Sequence, residues 1–510
     1  MSSSRTVNAI RNIFWGYLSR IIGLVIPFIL RTVMIYQMGD AYTGINSLFS
    51  SILQVLNISE LGVGTAIVYS MYQPIVDNDT EKINALLNFY RRVYRIIGCV
   101  ILGIGLILVP FIPLLIADEY PADINIYIVY IVFLLDTAIS YLLFAYRNAL
   151  FLAFQRSDID SKVNILFLVV TSIAQVSVIF LFHDYYYYLF VIILFRLAQN
   201  MFRYAVSKKV YGMYECKGEI SKQEFNKIKD NVKALVCHKI GGTILNSADT
   251  IVISAFLGVK LLTKYTNYYY LMTSMEALIM ICFASITAGI GNSFLLETRE
   301  KNTETFKRIL FFNGIIVVVT GTVLAISYQT FIRIWLGTAY LFDYKVVVLL
   351  INYFFVHTIR RTIITFRDGA GAWRDNQMQP IVSGAMNLVI NILLVMKIGI
   401  YGIVLSSILC MIVIDIPWET EQFIPKRLNM KSSSYYLSVF GYLISMWVAI
   451  LSSRYICSKF LFHDLLQLFF DAAVGFAVAC IVIVLFYFRT NEFSFFCNLL
   501  KGMLGKIRKK

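Results

Sequence analysis

Tyr42-Thr-Gly-Ile-Asn-Ser-Leu-Phe-Ser-Ser51 returns 223 residues later as Tyr265-Thr-Asn-Tyr-Tyr-Tyr-Leu-Met-Thr-Ser274. The ungapped register runs over 42–89 against 265–312. Besides Tyr42/Tyr265, Thr43/Thr266, Leu48/Leu271 and Ser51/Ser274, it pairs Ser70 with Ser293, Thr80 with Thr303 and Glu81 with Glu304. Apolar matches such as Ile58/Ile281 and Leu87/Leu310 arise by chance in greasy segments, so the polar coincidences carry the inference. Gly39 and Gly258 close the preceding segment of each copy, with a four-residue length difference. The chain is a tandem duplication.

Composition identifies the solvent in which the duplicated unit folds. Of 510 residues, 59% are hydrophobic and 15% charged, and the mean hydropathy is +0.72. Soluble domains carry about 25% charged residues, so a water-soluble enzyme, a disordered chain and a secreted disulfide scaffold are excluded. A span needs about 20 mostly apolar residues, and that ruler predicts fourteen helices, the second over 41–73 and the seventh over 233–257. Met1 to Arg11 is polar and the first apolar stretch is long enough to span, so no cleavable signal is expected. The eight cysteines are scattered without a CxxC pair, which predicts buried thiols and no metal site.

Fourteen spans place both termini on one side. With Met1 in the cytoplasm, inside segments hold 35 of the 45 Lys and Arg, outside segments seven, and the spans three: Arg20, Arg31 and Arg196. This bias is the positive-inside rule, and it accounts for the net charge of +15 without nucleic acid. Six spans separate the copies, so both have the same orientation, a transporter architecture with a site between the halves. The expected organisation is all-α: a six-helix lobe over 1–207, a cytoplasmic linker over 208–232, a parallel six-helix lobe over 233–430, and two further helices with a basic tail over 431–510.

Ionisable groups inside spans are costly and mark function. Arg20 and Arg31 are eleven residues apart, almost three turns, so they share a face about 16 Å apart along the axis. Two guanidiniums there suit a phosphate-bearing group; the alternative is that each snorkels to its own interface. On the seventh helix His238 and Asp249 repeat the spacing, with Asn246 one turn before Asp249. Asp249 suits a gate or a cation site, and equally a static charge pair. Asn387 and Asn391 share a face of the eleventh helix and suit either Na⁺ or interhelical hydrogen bonds. Glu60, Asp136, Glu276 and Asp415 are further acids that suit proton relay. Arg360, Arg361, Arg367 and Arg374 line the cytoplasmic end of helix ten; Arg360 and Arg361 are candidates for the anionic substrate, against lipid anchoring. No P-loop, nucleophile elbow or HExxH motif is present, so no catalytic set is expected and an ion or substrate gradient must supply the energy.

The stretch Gly371-Ala-Trp-Arg-Asp-Asn-Gln-Met-Gln-Pro380, continuing to Asn391 and Gly399-Ile-Tyr-Gly-Ile-Val404, resembles bacterial Wzx-type polysaccharide repeat-unit flippases. These belong to the multidrug/oligosaccharidyl-lipid/polysaccharide exporter (MOP) superfamily. Leu61–Tyr72, Ser19-Arg20 with Gly23, and Asn246–Gly258 fit the same family. The resemblance implies two MATE-like six-helix lobes that alternate access. Its substrate is an oligosaccharide on undecaprenyl pyrophosphate, moved between leaflets of the bacterial cytoplasmic membrane. It implies a pyrophosphate ligand for Arg20, Na⁺ or H⁺ coupling near Asp249, Asn387 and Asn391, and polymerase and glycosyltransferase partners. A lipid II flippase and an ion-coupled multidrug exporter of the same superfamily stay open, as does a membrane glycosyltransferase from another class.

Overall fold

The computed structural model describes residues 2–57, 62–117, 120–372 and 376–507; at 2–10, 231, 233–239, 246, 288, 500 and 503–507 only the backbone is described. The protein is 88% helix, with no strand among the described residues. In hydrocarbon every backbone polar group must be satisfied internally, and the helix does this within one segment. Side chains at the helix starts satisfy the first free donors. Asp79, Asn125, Asp184, Thr298 and Asp343 each accept a backbone N–H of the turn that follows.

The chain divides into two compact units, 1–263 and 264–510. The first contains α1 (Ser2–Gln37), α2 (Asp40–Leu56), α3 (Val63–Val76), α4 (Thr80–Leu108), α5 (Ile126–Leu142), α6 (Asn148–Ala153), α7 (Ser157–Phe182), α8 (Tyr185–Tyr211) and α9 (Lys222–Leu257). Helix α10 (Val259–Leu296) starts in it. Here α1 packs on α7, α2 on α9, α4 on α5, and α8 on α5 and α7. Asp158, wholly buried at the start of α7, ties α1 down through Arg11 at 3.0 Å and also meets Arg156 and Lys162. The basic connection is mostly helical: α8 runs to Tyr211 and α9 begins at Lys222 behind a Ser221–Glu224 capping box. What lies between is clasped to α4, with Asn88 donating to the Gly218 carbonyl at 2.8 Å and Arg92 paired with Glu219 at 3.0 Å. Burial raises the Glu224 carboxyl, but the hydrogen bonds from Lys82 and Ser221 outweigh it and hold the group below its ordinary value.

The second unit contains the rest of α10, then α11 (Arg299–Leu336), α12 (Tyr344–Ile359), α13 (Arg361–Gly369), α14 (Gln379–Ile398), α15 (Ile400–Cys410), α16 (Ile416–Arg427), α17 (Ser432–Cys457), α18 (Asp464–Tyr487) and α19 (Asn491–Ile507). Its axis is α11, against which α12, α17, α18 and α19 pack. Gly314 and Gly321, seven residues apart on α11, leave room for Tyr442 and Met446 of α17. Thr330 on α11 donates to Asp471 of α18 at 2.8 Å. The last two long helices are thus built into the core of this unit.

Twelve helices among the described residues are long and apolar enough to cross a membrane, and a bent pair, 126–142 with 145–153, makes a thirteenth at a 47° break. The predicted span over 41–73 is two helices, each under 18 residues, on either side of 58–61, which lie outside the described residues. This copy differs from α10, which is continuous from Val259 to Leu296. Gly62 has φ +87°, a left-handed conformation glycine adopts without strain, whereas the register puts Ser285 at that place and α10 continues through it.

The duplication is visible in the backbone. Gly39 before α2 has φ 109°, ψ 170°, and Gly258 before α10 has φ 87°, ψ 166°, so one corner is made twice. The two corners meet through Asp40 and Thr263: the Thr263 hydroxyl donates to the Asp40 carbonyl at 2.6 Å. One turn on, a Cβ at Gly44 would lie 2.2 Å from the Val259 carbonyl oxygen. That oxygen is backbone and cannot yield cheaply. Gly44→Ala is therefore expected to destabilise the protein by about 1–3 kcal/mol through overpacking. Gly103→Ala, with nothing within 4 Å, serves as the control. Thermal unfolding in detergent should fall for the first and hold or rise for the second.

Candidate functional site

The first unit gathers the three basic residues that the sequence places inside spans, and treats them differently. Arg196 on α8 is bidentate to Asp136 on α5, through Nε at 2.8 Å and Nη2 at 3.1 Å. In the sequence they stand as separate intramembrane charges; in the fold they are a neutral pair joining two helices. Further along α8, Arg203 meets Asp160 at 3.1 Å and Gln199 donates to Asn164 at 3.1 Å, so a polar ladder knits α8 to α7. Arg31 on α1 is half-buried and donates through Nη2 to the Thr263 carbonyl at 3.4 Å. Arg20, on the same face, is exposed and makes no hydrogen bond or ion pair with any described residue. It stands nine residues, about 13 Å, inside the span that starts at Arg11. None of its five N–H donors meets an acceptor among the described residues.

Asp249 lies on α9 in this unit and is 7% exposed. The side chains of Asn246 and His238, and Glu60 altogether, lie outside the described residues. Asn387 and Asn391 belong to the second unit and are fully buried. Asn387 donates to Ser407 Oγ at 3.0 Å and Asn391 accepts from Ser406 Oγ at 2.9 Å, so both bridge α14 to α15.

Arg360 and Arg361 sit at the junction of α12 and α13. Arg360 is buried and its donors are occupied. It meets Asp415 Oδ2 at 2.8 Å, while Nε and Nη2 form a fork on Glu419 at 3.2 and 2.8 Å. Arg367 approaches Glu419 at 3.8 Å, and Gln379 donates to Asp415. Asp415 closes a π-helical turn over 411–415, an expansion that turns its carboxylate toward the arginine. Arg361 lies within electrostatic reach of Glu276, which hydrogen-bonds His357 Nδ1 at 3.0 Å. Sequence reasoning misses the Arg360 network as a unit, although its spacing carries the signal: Asp415 and Glu419 are four apart and Arg360 and Arg367 seven, both helical repeats. Among the described residues no group of three or more His, Cys, Asp or Glu is arranged to hold a metal ion.

No protein-family model and no curated protein sequence matches this chain. Solved structures do. The lipid II flippase MurJ in an inward closed conformation superposes at TM-score 0.63 with 16% identity, over 94% of this chain and 99% of its own. An inward-facing multidrug-resistance MATE transporter gives 0.61 with 12% identity, over 80% and 96%. A mutant of the Vibrio cholerae MATE transporter VcmN gives 0.54 with 12% identity, over 87% and 99%. The chain is a multi-pass membrane protein with the fold of MATE and MurJ transporters of the MOP superfamily.

Proposed function

We propose that the protein flips undecaprenyl-pyrophosphate-linked oligosaccharide repeat units from the inner to the outer leaflet of the bacterial cytoplasmic membrane, with both termini in the cytoplasm. The observation that carries this reading is Arg20, an exposed cation inside a span with no carboxylate among the described residues to answer it. A structural arginine at that depth acquires a counter-charge, as Arg196 does from Asp136. One left open is suited to an anion that arrives and leaves. Pyrophosphate offers the charge and the oxygens that a guanidinium grips two at a time, and it cannot cross hydrocarbon unaided because its desolvation costs many kcal/mol. Arg31 would take the group at a greater depth. An organic cation gains nothing from such a face, which favours the lipid-linked anion over a drug. The larger share of this chain spanned by the lipid II flippase also supports a flippase.

Alternating access of the two lobes would carry the head group while the lipid tail stays in the bilayer. Resetting is assigned to Na⁺ or H⁺, with Asp249, Asn246, Asn387, Asn391 and Glu60 as the coupling or gating residues. A polymerase and glycosyltransferases would supply and consume the lipid.

Four expectations follow for purified protein in proteoliposomes carrying a fluorescent undecaprenyl-pyrophosphate oligosaccharide. Arg20→Ala should cut flipping tenfold or more, since hydrogen bonds to charged groups contribute about 1.5–3 kcal/mol, with thermal unfolding unchanged. Arg20→Lys should recover only part of it, because an ammonium is a point charge without the planar fork. Flipping equal to wild type in Arg20→Ala would sink the proposal; export of organic cations with no lipid transport would put the protein with the multidrug exporters. Arg360→Ala should behave oppositely, with unfolding brought down by about 3–5 kcal/mol because two buried carboxylates lose their cation. Asp249→Asn should leave folding intact while removing the response of flipping to an imposed Na⁺ or pH gradient; an unchanged response would exclude Asp249 from coupling.

A further inference from the structure

Helix α19 follows α18 after a link of three residues, and its start is capped: the Thr490 hydroxyl accepts the Phe493 N–H at 3.3 Å. Its level in the bilayer is marked twice. The apolar run of α18 closes at Phe488 and Arg489 follows, while on α11 Lys307 and Arg308 stand immediately before the apolar run that opens at Ile309. These two helices pack on each other, and α19 touches α11 at that boundary. Phe493 lies 6.4 Å from Phe311 and Phe496 lies 6.2 Å from Phe312 between ring centroids, and the Arg308 guanidinium sits 3.9 Å over the Phe495 ring. The first turns of α19 are thus fastened where apolar side chains give way to basic ones.

The sequence of α19 separates by face. Phe493, Phe496, Leu500, Met503, Leu504 and Ile507 recur at three- and four-residue spacings, the pattern of one apolar stripe, while Ser494, Asn498, Lys501 and Gly505 belong to the other side. The ring contacts with α11 end at Phe496, and the stripe continues for eleven residues, about 16 Å, beyond it. With 17 residues, about 25 Å, the helix is shorter than the hydrocarbon thickness of about 30 Å, and Lys501 and Lys506 interrupt it, so it is not a span. An amphipathic helix that starts at the membrane boundary has one placement that satisfies both faces: in the plane of the surface, with the apolar stripe sunk about 5–10 Å toward the acyl chains.

The charge pattern says which lipid. Residues 501–510 hold five cations, Lys501, Lys506, Arg508, Lys509 and Lys510, and no acid. Glu492, the single acid after α18, stands in the first turn, where it suits the helix dipole. A polybasic segment beside an apolar face is drawn to anionic headgroups and gains little from zwitterionic ones.

We propose that α19 lies in the membrane surface at which α18 ends and binds anionic phospholipid there, with its stripe toward the acyl chains and its cations on the lipid phosphates. The partner is the lipid of the surrounding membrane and not the transported molecule, so the inference goes beyond the flippase reading and does not rest on it. It also has a consequence for the second unit. Because Phe493, Phe495 and Phe496 fasten α19 to α11, lipid held by α19 supports the helix on which that unit is built.

Hydrogen–deuterium exchange of the amides of α19, read by mass spectrometry, tests this on the full chain in two kinds of nanodisc, phosphatidylcholine alone and phosphatidylcholine mixed with phosphatidylglycerol. Exchange should be slower by about tenfold or more in the anionic discs, and added salt should shrink the difference. Lys501→Gln combined with Lys506→Gln should speed exchange about tenfold in the anionic discs and leave the neutral discs unchanged. Lys501→Arg combined with Lys506→Arg should keep the wild-type protection. Leu500→Ser combined with Leu504→Ser should lose protection in both discs, with thermal unfolding and the exchange of α11 confirming that the rest of the second unit is folded. Exchange equal in the two lipids would overturn the proposal, as would a glutamine pair that loses protection equally in both, since the lysines would then serve the fold. Protection that falls only in the serine pair would assign α19 to apolar contact alone and overturn the anionic partner. Flipping unaffected by Arg20→Ala would sink the flippase reading and leave these exchange results standing.

Discussion

An uncompensated charge costs more in hydrocarbon than any single packing contact returns, and the charges of this protein are arranged around that constraint. Asp136 answers Arg196 across two helices, Asp415 and Glu419 share Arg360, and Glu276 meets His357 with Arg361 close by. Each arrangement neutralises itself inside one compact unit and fixes helices that apolar side chains alone would leave free to slide. A membrane offers little hydrophobic drive between helices, so polar staples and close glycine contacts must set the register. Gly314 and Gly321 against α17, Gly44 against the start of α10, and Asn387 and Asn391 between α14 and α15 are the second half of that scheme.

Against this background the surroundings of Arg20 matter, because it meets no carboxylate among the described residues. Arg20 is carried on α1, whose start and flank are tied down by Asp158 and by the packing on α7. Arg31, about three turns further along the same face, already engages a backbone carbonyl.

How much of this is legible in the sequence depends on the range of the interaction. Span length, orientation and duplication are local or periodic properties, and hydropathy, Lys and Arg placement and a 223-residue offset carry them; the glycine corners at 39 and 258 repeat in the structure as they do in the sequence. The division of 41–73 into α2 and α3 escapes that reading, since hydropathy does not report the left-handed φ of Gly62 where α3 begins. Partnering is the least legible. Asp136 and Arg196 are sixty residues apart, Arg360 and Glu419 fifty-nine, and nothing in either neighbourhood names the other. Arg20 and Arg360 look alike as residues in apolar context, yet one is open and the other is held by two carboxylates.

That difference decides how the two arginines are to be understood. Charge in a span is evidence of function only after its partners have been counted, since a buried ion network and a ligand site draw on the same residue types. Arg360 has bidentate geometry, a second carboxylate and a π-helical turn that delivers it, all of which serve the stability of one unit. Arg20 has none of these among the described residues. Where the hydrogen bonds of a buried cation close on carboxylates of its own unit, as at Arg360, the residue is accounted for by packing; at Arg20 no described residue closes that account.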